Sequence, residues 1–199
     1  MALPLHYDAR RGIRQWGGLG NLYKSDCTVA AYEHIQMVHN LATASSWKKL
    51  LYRIGYVIPT TALTLEEYDE VLASLGENPA SDPGVYPNTL LAWAEVKGKI
   101  KTWTQLPITV DAATTIKEAV VAWDGCIVAL ELTSRAYYIG NAPGEWVLDA
   151  GDKPQVNLAH AVGAVEYGPK AIGVTTWGIM KNMTYEFANA TVYGVWVFN

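Results

Sequence analysis

The sequence predicts an α+β fold, a helical N-terminal half packed face to face with a mostly antiparallel β half. Three observations carry the prediction. The first hundred of the 199 residues place apolar side chains at helical spacing behind capping residues, and beyond Cys126 short β-type runs dominate. The composition, 50% hydrophobic and 17% charged, supplies a core and excludes intrinsic disorder, which needs few apolar groups and much charge.

The elements follow in order. The opening 26 residues are irregular, with Gly17, Gly18 and Gly20 clustered ahead of Asn21. A first helix starts at Cys27, capped by Ser25 or Asp26, with Ala31, Ile35, Val38 and Ala42 on the face of Cys27. In a second helix Thr64 and Glu67 form a capping box, Leu65, Tyr68, Leu72 and Leu75 form the apolar stripe, and Gly76 is the stop. A loop with Pro79, Pro83, Gly84 and Pro87 leads to a third helix, from an Asn88 cap through Leu90, Leu91 and Ala94 to Gly98. One more helix is expected over about 112–123, leaving through Asp124-Gly125. Strands are expected at 126–132, 137–140, 146–148, 159–167, 171–176 and 192–198. There is no repeat, low-complexity tract or linker, so residues 1–199 read as one domain: a mainly helical lobe at about 1–105, a mainly β lobe at about 106–199, and a cleft between them.

Fifteen Lys and Arg against nineteen Asp and Glu give a net charge of −4 without a basic stripe, which argues against a nucleic-acid partner. No apolar run reaches the ~20 residues of a membrane helix, and the first residues lack the basic and apolar regions of a signal peptide. Cys27 and Cys126, 99 positions apart, are too few for a disulfide framework and read as free thiols. The expected location is therefore cytoplasmic or virion-associated, not secreted through a signal peptide. His34 and His39 are five apart, where metal ligands on a helix would be three or four apart. Asp149 and Asp152 lack the rest of a calcium loop, so neither metal nor cofactor is expected. Cys126 reads as a packed core thiol.

The chemistry gathers on Cys27 and His160. Cys27 sits at the first turn of an apolar helix, where unpaired backbone N–H groups and the helix dipole favour a thiolate. His160 opens an apolar strand, Ala161-Val162-Gly163-Ala164-Val165, in the other half of the chain. A helix amino terminus facing an imidazole at a strand edge is the arrangement a thiolate–imidazolium pair requires. For an arbitrary Cys and His, a packed thiol and a hydrogen-bonded rim imidazole are the commoner reading.

The surrounding residues change that balance. His160 follows Cys27 by 133 positions, and Asn21 precedes it by six. The chain opens Leu3-Pro4…Asp8-Ala9-Arg10, and Thr28-Val29-Ala30-Ala31 follows the cysteine. Ile116-Lys117-Glu118-Ala119 precedes the first long strand, and the end carries His160-Ala161-Val162…Tyr167-Gly168…Thr175-Thr176-Trp177-Gly178. In this order the blocks resemble the papain-like cysteine peptidases, in which His lies roughly 130–150 residues after the nucleophile. The resemblance implies the two-lobed fold, with Cys27 as nucleophile, His160 as acid and base, Asn21 in the place of the oxyanion-donating Gln, and Thr175 in the place of the Asn that orients the imidazole. It also implies that Trp177 shields that contact, and that Gly84 and Val85 belong to a substrate-binding wall.

The chain departs from the family at Asn21, Thr28 and Thr175, and Asp26 sets a carboxylate beside the thiol, which opposes ionisation. The family's disulfide cysteines are absent, and the 26 residues before Cys27 leave no room for a propeptide, as expected of a bacterial or bacteriophage chain. Two functions follow. One is a cysteine hydrolase cutting a peptide, amide or isopeptide bond in a peptide or protein substrate. The other is a catalytically weak or inactive papain-like domain serving as a structural or binding module, for example with other virion proteins in a bacteriophage capsid or tail.

Overall fold

The computed structural model describes residues 2–22, 24–53, 60–140, 142 and 144–199. The helical side comprises α1 (Cys27–Thr43), α2 (Ser46–Arg53), α3 (Thr61–Ser74) and α4 (Pro87–Val96). A short strand, β1 (Tyr7–Asp8), precedes them, and a 3-10 turn, Pro79–Ser81, separates α3 from α4. Then come β2 (Trp103–Leu106), α5 (Ala112–Trp123), β3 (Cys126–Glu131), α6 (Ser134–Ile139) and β4 (Glu145–Trp146). The chain ends with β5 (Ala159–Tyr167), β6 (Ala171–Thr176), β7 (Ile179–Thr184), α7 (Tyr185–Thr191) and β8 (Val192–Phe198).

The helix starts show which local signal prevails. α1 begins at Cys27 as its periodicity predicts, but Asp26 at the N-cap makes no side-chain capping bond. α3 begins three residues ahead of the capping box at Thr64. Thr60 Oγ1 accepts the Leu63 N–H, and Thr64 turns its hydroxyl back to the Thr60 carbonyl. α4 begins at Pro87, whose fixed φ and missing N–H suit a first helical position, and Asn88 is left to accept the Trp196 indole N–H. Residues 137–140 are not a strand. Thr133 Oγ1 accepts the Ala136 N–H and starts α6, so a cap outweighs the β preference of Tyr137 and Tyr138. The amphipathic α2 leaves Trp47 and Leu50 exposed.

The strands form one sheet in the order β2-β8-β3-β5-β6-β7-β4, with β1 added on β5. Every pairing is antiparallel except β4 with β7. Successive side chains of a strand point to opposite faces, and the core divides accordingly. Ala161 and Val165 of β5, with Ile127 and Ala129 of β3, join α1, α3 and α4 in one apolar cluster. Val162 and Ala164, with Cys126, Val128 and Leu130, join α5 and α7 in the other. Because α1 packs on the first face of β5, its amino terminus meets the start of that strand, where His160 sits. Among the described residues no helix is long and apolar enough to cross a membrane.

Candidate active site

Cys27 opens onto a cavity of about 250 Å³ whose lining includes Ser25, Gly84, Val85, His160 and Tyr193. Five separate parts of the chain thus meet: the start of α1, the loop before α4, Ala129 of β3, the start of β5 and the start of β8. The loop is tied to the nucleophile's own turn. The Asp82 carboxylate accepts the Ser25 N–H at 2.9 and 3.0 Å and the Tyr68 hydroxyl at 2.9 Å, and the Gly84 N–H donates to the Tyr68 oxygen at 3.1 Å. Gly84 has φ +77°, a left-handed backbone that a residue with a Cβ adopts only with strain. The wall beside the thiol is therefore built from a buried tyrosine outward.

His160 is held on three sides. Its Nε2 makes a 2.7 Å hydrogen bond with Thr176 Oγ1. Trp177 stacks on the ring at 4.5 Å and 14°, and Trp146 approaches edge-on at 6.5 Å and 76°. Thr175, expected in the orienting role, does not reach the imidazole. Its hydroxyl donates to the Gly163 carbonyl at 3.2 Å on the opposite face of the sheet. The pleat of β6 decides between two adjacent threonines, and it points Thr176 at the ring. Thr176→Val should therefore slow any His160-dependent turnover about tenfold, one hydrogen bond's worth. Thr175→Val should instead lower the melting temperature and spare the rate constant. Steady-state kinetics and melting curves of the two variants separate the effects.

Asn21 and Trp177 line a neighbouring concavity of about 430 Å³ with Leu22, Tyr137 and Tyr138. The structure thus brings Cys27, His160, Gly84 and Val85 to one cavity and places Asn21 and Trp177 in the next, with the His160–Trp177 stack between them. The loop bearing Asn21 is locked in place. His34 Nε2 lies 3.1 Å from the carbonyls of both Trp16 and Gly17, and Gly17 bridges Gly178. A Cβ at Gly178 would stand 2.8 Å from the Gly18 nitrogen, so the approach of the two loops requires glycine there.

The electrostatics run against the thiolate expected at a helix amino terminus. Burial pushes the Cys27 thiol above its usual range. The Ala161 N–H and the Thr28 hydroxyl and N–H favour the thiolate, and the Asp26 charge opposes it. Burial also holds His160 down to about 3. Desolvation therefore disfavours the charged form of both groups, the thiolate and the imidazolium alike. Asp26 is fully buried, both oxygens lack a hydrogen-bond partner among the described residues, and burial raises its carboxyl to about 7. Tyr193, which sequence reasoning passed over, is pushed up by burial, with Cys27 and Tyr86 adding. Nothing local in the β8 run marked it. Among the described residues no group of three or more His, Cys, Asp or Glu could hold a metal ion.

A helical side packed on a mostly antiparallel sheet, with a helix-start cysteine and a strand-start histidine lining one cavity, is the arrangement of the papain-like fold of cysteine proteases. Comparison with solved structures shows that fold. Xylellain, a cysteine protease from Xylella fastidiosa, superposes over 100% of this chain and 87% of its own with a TM-score of 0.68 at 13% identity. Digestive procathepsin L 3 of the Tenebrio molitor larval midgut superposes over 98% of this chain and 70% of its own, TM-score 0.65, also at 13% identity. A structure from work on the mite allergens Blo t 1 and Der p 1 covers 100% and 72%, TM-score 0.54, at 13% identity. No family model matches the sequence, and no curated protein matches it.

Proposed function

We propose that the chain is a cysteine hydrolase that cleaves a peptide, amide or isopeptide bond through an acyl-enzyme on Cys27. The observation that carries this reading is the shared cavity of Cys27 and His160, with the imidazole pinned through Nε2. The pin leaves Nδ1 to take the thiol proton as sulfur attacks the carbonyl carbon. The same nitrogen then gives the proton to the leaving amine and draws one from the water that hydrolyses the thioester. The Cys27 N–H at the start of α1 and the Asn21 amide from the adjoining concavity are the oxyanion donors of this scheme. His160 acts here as a base toward a neutral thiol, not as half of a preformed ion pair.

The test is hydrolysis of an unstructured protein such as casein, with Cys27→Ala as control. Cleavage by the parent protein that disappears in Cys27→Ala, and after treatment with iodoacetamide, supports the reading. Equal cleavage by both proteins ends it. A second reading, a papain-like module that binds without cutting, for instance among virion proteins, is favoured by the desolvation of both groups, which works against a thiolate and an imidazolium. A purified parent protein with no turnover on any peptide would select it.

A further inference from the structure

Lys181 of β7 is a charged side chain in an apolar place, 2% exposed. By the alternation of the strand it shares a face with Met183, and it pairs across the sheet with Val174; both belong with Trp146 to the second apolar cluster. Lysine is seldom buried without a partner of opposite charge, and among the described residues no carboxylate pairs with this one. Its Nζ instead donates to the Ala142 carbonyl at 2.7 Å and lies 5.9 Å from the centre of the Trp146 ring. Both contacts fall on one stretch of chain, the connection that leaves α6 and the strand β4 it leads into. That strand is weakly held by its own ladder. It is two residues long, it pairs with β7 at two positions, and the Trp146 indole N–H has no hydrogen-bond partner among the described residues.

Trp146 links this lysine to the site. Its ring meets Trp177 edge-on at 6.0 Å and 85°, packs on Phe187 at 5.8 Å, and turns an edge to His160. Trp177 in turn stacks on the imidazole, so His160 is boxed by two indoles, one of them backed by the Lys181 ammonium. We propose that Lys181 is a positioning residue for His160: by fixing the Ala142 carbonyl and the Trp146 ring from behind, it keeps the pocket of the imidazole closed to water. The contacts stand without any activity, and only the catalytic consequence rests on the hydrolase reading. Stability does not account for a lysine here. Methionine has about the same length and would pack in this cluster without desolvating a charge. What lysine adds is a charged donor for a carbonyl and a cation for a ring face. Burial is the cause of the low imidazole pKa, so the protonation of His160 reports how well its box is closed.

Proton NMR of the full-length protein tests this without turnover. The His160 ring resonance, assigned by its absence from His160→Ala, should keep its neutral-form position down to about pH 4.5 in the parent protein. In Lys181→Met it should titrate with a midpoint above about pH 5, a proton affinity raised at least roughly tenfold, and Lys181→Arg should restore most of the parent behaviour. Lys181→Met should melt no lower than the parent, because a desolvated charge has gone. His34 of α1, on the other side of the sheet, should titrate alike in both. Trp146→Phe withdraws the ring edge from the imidazole and should raise the His160 midpoint in the same way, so it carries the test should Lys181→Met not fold. An unmoved His160 midpoint overturns the proposal, and so does an equal shift at His34, the mark of a generally loosened fold. If the parent protein cleaves peptides, Lys181→Met should lower kcat about tenfold and leave KM nearly unchanged, and a shifted midpoint with kcat intact overturns the proposal too. A shifted midpoint alongside a parent protein that cleaves nothing would remove the hydrolase reading alone.

Discussion

His160→Ala is expected to lower peptide cleavage by about 10²–10⁴-fold, the usual share of a general base, while leaving the iodoacetamide alkylation of Cys27 nearly unchanged at every pH. The two readouts part because of what burial does to each group. Burial pushes the thiol up and holds the imidazole down to about 3, so both shifts work against a thiolate–imidazolium pair and favour the uncharged form of each group. Alkylation, which needs a thiolate, should rise in one step above the usual thiol range near ~8.5 with or without His160. Cleavage needs a base during attack, so it is lost with the ring. The sign for pH follows. A ring that stays neutral down to about 3 can accept a proton throughout the mildly acidic range, so the parent protein should show no acid limb near the ordinary 6.5. An alkylation rate that levels off at acidic pH and collapses in His160→Ala would instead establish a preformed ion pair.

Much of this site is legible in the amino-acid sequence because its signals are local. The apolar face of α1 places its start at Cys27, and the runs at β5 and β6 match the strands residue for residue, so the two halves of the cleft come from periodicity alone. What escapes is set by tertiary context. Thr175 and Thr176 are chemically identical neighbours, and only the phase of the pleat, fixed by the pairing of Gly163 with Thr175, gives the imidazole to the second. Tyr193 enters the cavity through the register of β8, and Asp82 becomes a strut only because Tyr68 and Ser25 converge on it. The helix dipole argues for a thiolate from the sequence, but the opposing desolvation comes from segments far from Cys27 in the chain.

Asp26→Asn is expected to stabilise the protein at pH 8 by up to about 4 kcal/mol, with the gain shrinking toward zero near pH 4. The folded carboxyl titrates at about 7 against an ordinary 3.8. Between those values the folded state holds a proton that the unfolded state has released, so stability falls as pH rises through the window and stays low above it. Just over three units at about 1.4 kcal/mol each set the ceiling. For a chain of this size that corresponds to a rise in melting temperature of roughly 10 °C. The cause is geometric. The Asp26 oxygens face Leu65 and Gly20, where even a Cβ would collide with the carboxylate, and they have no hydrogen-bond partner among the described residues. His34 is held down to about 4 and His160 to about 3, and both oppose this trend by destabilising the fold as pH drops below about 6.5. Both variants share those histidines, so the difference between their melting curves isolates residue 26. The Asn amide brings its own unpaired N–H groups, a cost that does not vary with pH. The slope of the difference between pH 4 and 8, not its offset, is therefore decisive, and a flat difference would remove the buried carboxyl from the account. Removing the Asp26 charge also removes a repulsion that holds the neighbouring thiol up, so Asp26→Asn should speed Cys27 alkylation at pH 8 while it stabilises the fold. An unpaired carboxyl here would then cost the parent protein both stability and sulfur reactivity at alkaline pH, and both costs vanish once it is protonated.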